Sequence, residues 1–168
     1  MKKIKINGKR NIEAIKNIKN KKRYVTKDWS NNLLNTFYHQ NYINMLYLNE
    51  TFDGCNILKK ELKNKINGYK NQDKIKNILN IDKLISQEEL IEKLLISKLK
   101  CYYCKCTCLL LYDNVREKKQ WTLDRINNDV GHYNDNVVIS CLECNIKKRR
   151  MNDNDFKFIK QMKIIKKN

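Results

Sequence analysis

Four cysteines in two pairs constrain this chain more than any other feature. Cys101-Tyr-Tyr-Cys104 and Cys141-Leu-Glu-Cys144 are CxxC knuckles separated by 36 residues. Two thiolates at this spacing reach one ion with little backbone strain, and zinc takes four of them tetrahedrally. A unit below about 80 residues rarely holds itself together on apolar burial alone. A structural Zn²⁺ on Cys101, Cys104, Cys141 and Cys144 is therefore expected. Cys106 and Cys108 stand beside the first knuckle on one face of a β-like run, as core residues or as alternative ligands. A four-thiolate site is closed, so any chemistry must be sought elsewhere.

The remaining cysteine, Cys55, makes the total seven, an odd number crowded into clusters. No apolar segment follows the basic residues 1–10 to make a secretory signal, which favours metal binding over a disulfide framework. No apolar run approaches the ~20 residues of a membrane helix. These signs read as a soluble, intracellular protein without a membrane partner.

The formal charge is +18, from 36 Lys and Arg against 18 Asp and Glu, and it points to a polyanionic partner such as DNA. Composition explains part of it. Lys, Asn and Ile supply 30, 25 and 20 of the 168 residues, as an AT-rich genome would, and we assign about half of the excess charge to that bias.

Residues 1–85 read as a basic, mainly helical N-terminal region. Residues 1–28 carry eleven basic and two acidic side chains, a mobile basic arm or frayed helix. Leu33, Leu34, Phe37, Tyr38, Met45 and Leu46 keep helical spacing over 31–50, where His39 is assigned no role. A weaker helical pattern over 56–81 is interrupted by the turn signal Asn67-Gly68. Residues 86–168 form the second unit. Ser86-Gln-Glu-Glu89 is a capping box opening a helix that runs toward Cys101. Two strands, 106–112 and 119–124, are expected to pair as a hairpin. A polar loop over 126–135, a short strand at 137–139, a helix from Cys141 and a last helix over 156–165, capped by Asn154 or Asp155, complete it. The expected class is α+β.

Between the knuckles stands Trp121-Thr-Leu-Asp124-Arg125-Ile, then Gly131-His132, Asn136-Val and Cys141-Leu-Glu-Cys144-Asn145-Ile-Lys-Lys148. This resembles the zinc-bearing branch of the HNH endonucleases, whose modules have a ββα-metal fold and occur in phages and large DNA viruses. The resemblance covers about 86–165. It implies a metal-dependent endonuclease acting on DNA, with Asp124 and Asn145 as ligands of a catalytic Mg²⁺ or Mn²⁺. It also implies that Asn136 holds the loop and that Lys148 faces phosphate, in a nucleic-acid-binding cluster with Lys147, Arg149 and Arg150. One carboxylate and one amide oxygen make the sparse, hard-ligand site that phosphodiester hydrolysis needs.

The chain departs from the resemblance at Arg125, where many members carry the histidine that serves as general base. Arginine keeps its proton at working pH. It could bind phosphate or stabilise the leaving group. The base is then His132, or the cation activates water without one. The rival readings are a module of the same fold that binds DNA without cutting it, and a nuclease acting on RNA or branched DNA.

Overall fold

The computed structural model describes Gly8 and residues 21–27 and 29–162. Most of the basic arm expected over 1–28, and the end of the helix expected over 156–165, lie outside them.

Two helices replace the single one expected over 31–50. They are α1 (Asn31–Leu34) and α2 (His39–Tyr47), parted by extended Asn35. His39 is buried at the join. Its Nε2 lies 3.1 Å from Leu33 O, and its Nδ1 accepts the Leu110 amide at 3.2 Å, so the ring ties α1 to the C-terminal half. Burial draws it below the ordinary histidine pKa, which suits a neutral structural imidazole.

Next comes α3 (Cys55–Ile75), which runs unbroken through Asn67-Gly68 and corrects the expected turn. A helical glycine costs about 1 kcal/mol relative to alanine. Burying Leu58 and Leu62 on the same helix returns roughly 1.5–3 kcal/mol each. The Gly68 face is open, with nothing within 4 Å of where a Cβ would stand.

Ser86 caps α4 (Gln87–Ile96) as expected: Ser86 Oγ accepts from Glu89 N at 3.1 Å, and Glu89 Oε2 accepts from Ser86 N at 2.8 Å. The helix stops short of Cys101 because Lys98 and Leu99 take left-handed φ values of 50° and 52°.

The sheet also differs from expectation. It is two-stranded and antiparallel, but β1 (Trp121–Arg125) pairs with β2 (Val137–Cys141), setting Trp121 opposite Cys141 and Asp124 opposite Val138. Residues 106–112 make only single bridges, Thr107 to Lys100 and Leu109 to Gln120. Every residue of β1 is buried, and α3 closes its free edge, where Leu123 N donates to Tyr69 Oη at 2.9 Å. After β2 the chain enters α5 (Leu142–Lys148) and then α6 (Asp153–Gln161), capped by Asn152 rather than by Asn154 or Asp155.

The result is an α+β fold with a small two-stranded sheet. One hydrophobic core runs from Leu33 through Leu58, Leu90 and Trp121 to Phe156. It crosses the 85/86 division without a break.

Candidate functional site

The two knuckles meet. The sulfurs of Cys101, Cys104, Cys141 and Cys144 all lie within 4.8 Å of one another, and Cys104 and Cys141 are 3.9 Å apart. Tetrahedral thiolates around zinc stand about 3.8 Å apart, so this donor set fits the ion. The first knuckle closes through left-handed Lys105, whose amide donates to Cys101 O at 3.0 Å. The second is the junction of strand and helix: Cys141 ends β2 and caps α5, and Cys144 sits in the first turn. The hydrogen bond between the Cys101 and Cys141 sulfurs draws the Cys101 thiol below its ordinary pKa and pushes that of Cys141 up. A cation in the cluster would relieve that competition. Cys106 is half-buried and outside this four-sulfur group, and Cys108 is packed in the core.

The same junction aims α5. Cys144 and Lys148, one turn apart, face inward, and Asn145 faces a cleft of about 960 Å³ between α3, β1 and α5. Asn145 Nδ2 donates to Leu123 O and to Thr122 Oγ1, each at 3.1 Å. That seats the amide beside Asp124 and leaves Oδ1 without a hydrogen-bond partner among the described residues. Asp124 is held similarly. Its Oδ2 accepts from the Tyr103 hydroxyl at 2.5 Å and lies 3.3 Å from Lys148 Nζ. Asp124 Oδ1 is free of such bonds among the described residues. No fully buried side-chain oxygen in the described structure lacks a partner, so neither Oδ1 is fully enclosed, and both residues line the cleft. Burial pushes the Asp124 carboxyl above its ordinary pKa, against the pull of Tyr103 and Lys148.

Asn136 is the loop clamp that the sequence implied. Its Oδ1 accepts the Asn127 amide at 2.9 Å, and its Nδ2 donates to the carbonyls of Asn127, Val130 and Gly131 at 2.9, 3.3 and 3.0 Å.

Two expectations need correction. Lys148 does not face phosphate: its ammonium is wholly buried and donates to Arg125 O at 2.7 Å beside Asp124. The reason is helical phase, because a residue four beyond Cys144 must share its inward face. Arg125 also points inward, only 6% exposed, with NH1 3.6 Å from Asp73 Oδ1 and 3.4 Å from Val130 O. It serves as an internal counter-charge to Asp73 and also lines the cleft. Lys147 pairs with Glu143 on the surface at 2.5 Å, and Arg149 and Arg150 line the cleft.

Sequence reasoning missed Tyr103, Lys65 and Asp73. Lys65 projects from α3 into the cleft, donates to Trp121 O and Gln120 Oε1, and lies 4.1 Å over the Trp121 ring. Burial draws its pKa down to about 7. Asp73, fully buried on α3, receives His132. Neither had a local signal, since both act across more than 50 residues of chain.

The buried Asp124–Lys148 pair gives a direct test of this geometry. Lys148→Met strands a carboxylate in the interior and should cost about 3–5 kcal/mol, read as a lower urea midpoint. A substitution at a surface phosphate contact would leave the midpoint in place.

No protein-family model matches this chain, and no curated protein or solved structure matches it significantly.

Proposed function

We propose that this chain is an HNH-type, metal-dependent endonuclease that hydrolyses phosphodiester bonds in DNA. The observation that carries the reading is that Asp124 and Asn145 line one basic cleft, each held through its other side-chain atom so that its Oδ1 has no hydrogen-bond partner among the described residues. One carboxylate and one amide oxygen fit Mg²⁺ or Mn²⁺, which would neutralise charge on the scissile phosphate. The four-thiol cluster fits a structural Zn²⁺ that fixes α5 and so the aim of Asn145. Tyr103 and Lys148 lock the Asp124 rotamer. Lys76, Arg149 and Arg150 line the cleft and would hold the strand. His132, on the same wall, takes the water's proton on Nε2. The water oxygen then bonds to phosphorus, and the bond to the leaving oxygen breaks as that oxygen gains a proton from solvent.

The test is cleavage of plasmid and single-stranded DNA by zinc-loaded protein with Mg²⁺, with Mn²⁺ and with neither. Nicking or linearisation that needs the added ion is expected, and its absence under all conditions overturns the reading. Affinity should fall with salt, and Arg149→Gln with Arg150→Gln should flatten the log–log slope by roughly 2 if both side chains contact phosphate.

One observation favours a second reading. Lys148 already compensates the Asp124 charge without a divalent ion, which is compatible with a module that binds DNA without cutting it. DNA shifted on a gel and left intact with every ion would establish that alternative, and RNA cleaved in place of DNA would reassign the substrate.

A further inference from the structure

The base in this reading is held by a residue from outside the knuckle-bounded half. Asp73, near the end of α3, meets the His132 loop twice: Oδ2 accepts the His132 amide at 2.7 Å, and Oδ1 lies 2.7 Å from His132 Nδ1. Gly131 makes this approach feasible, since a Cβ there would stand 2.6 Å from the Tyr133 ring and 3.0 Å from Asp73 Oδ2. Tyr69, one turn earlier on α3, stacks on the imidazole with centroids 4.5 Å apart. Arg125 approaches the same carboxylate from β1, its NH1 3.6 Å from Oδ1.

A carboxylate can only accept, so Nδ1 carries the proton and Nε2 keeps its lone pair. Nε2 has no hydrogen-bond partner among the described residues. No fully buried side-chain nitrogen there goes unpartnered, so Nε2 is not fully enclosed, and His132 lines the cleft. The ring is thus fixed by Asp73 on one side and by Tyr69 across its face, with Nε2 as the nitrogen left unpartnered among the described residues.

We propose that Asp73 is the positioning residue of an Asp73–His132 dyad, fixing the tautomer that presents Nε2 to the attacking water; the proposal rests on the nuclease reading above. Arg125, at the position where the resemblance expects the base, instead balances Asp73 from behind. The active site is therefore assembled across the 85/86 division, with α3 as a working part of it. The charged groups around the imidazole are Asp73 on α3, Lys76 just past its end and Arg125 on β1, with the Tyr69 ring across its face. Burial draws His132 below the ordinary histidine pKa, and Asp73 pulls against it. The ring is then neutral, as a base must be, at neutral pH.

Two measurements on the full chain test the dyad. In the wild type, ¹⁵N NMR of His132 should report the neutral tautomer protonated at Nδ1. Asp73→Asn should keep zinc content and DNA affinity while kcat falls ~10²–10⁴-fold with KM little changed. Loss of the carboxylate that raises the imidazole pKa should also move the acid limb of the pH–rate profile to lower pH. Should Asp73→Asn fail to fold around an uncompensated Arg125, the double variant with Arg125→Gln removes both charges and carries the same test. A wild-type ring protonated at Nε2, or a kcat loss under about tenfold with an unmoved acid limb, overturns the dyad and leaves the nuclease reading in place. No cleavage by the wild type with any divalent ion overturns both.

Discussion

Cys104→Ala or Cys144→Ala should unfold the C-terminal half, and purified wild-type protein should hold close to one zinc per chain. A structural zinc site contributes on the order of 10 kcal/mol, comparable to the whole stability of a domain. The geometry says what is lost. Without Cys144 the strand-to-helix junction has no anchor, and α5 is only seven residues long, too short to persist alone. The Trp121 ring is 1% exposed and pairs in register with Cys141, so its fluorescence should shift to the red as β1 and β2 part. Cys106→Ser is the internal control, since that thiol lies outside the group of four. It should leave metal content and the urea midpoint nearly unchanged. Well-folded protein without zinc by elemental analysis would refute the staple and remove the reason given for how Asn145 is aimed.

What could be read from the chain was local. CxxC spacing, the Ser86 capping box and the polar loop around Asn136 each involve residues close in sequence, and each stands where the sequence placed it. Strand pairing was misassigned because proximity favoured a hairpin between 106–112 and 119–124. The pairing of β1 with β2 instead spans the loop that carries His132 and ends at Cys141, a member of the four-cysteine cluster. Helical phase explains the error at Lys148. Three residues beyond Asn145 reads as the same side, yet four beyond Cys144 reads as inward, and the buried cysteine of the cluster decides the face. Asp73 was beyond reach by any local pattern. A lone acid in a Lys- and Asn-rich helix looks solvated, and only folding brings it to a histidine 59 residues away.

Asp124→Asn and Asn145→Ala should each reduce cleavage by at least ~10³-fold, a barrier increase of about 4 kcal/mol, with zinc content and DNA affinity retained. Alanine is the wrong probe at position 124. It would strand Lys148 and the Tyr103 hydroxyl in the interior and confuse lost stability with lost chemistry. Asparagine keeps the shape, and the surroundings dictate its orientation. Tyr103 and Lys148 both donate toward the Oδ2 position, so the amide oxygen must sit there and the NH₂ must replace Oδ1. The group that faces the cation then becomes a donor where an acceptor is required. At Asn145, alanine removes Oδ1 together with two hydrogen bonds to Leu123 O and Thr122 Oγ1, both beside the open cleft where water can replace them. The structural cost should be near 1 kcal/mol, small against the catalytic effect. Higher Mn²⁺ should partly restore Asn145→Ala, in which Asp124 remains, and should not restore Asp124→Asn. Cleavage within tenfold of wild type in both variants would move the cation away from this pair of oxygens, and with it the nuclease assignment.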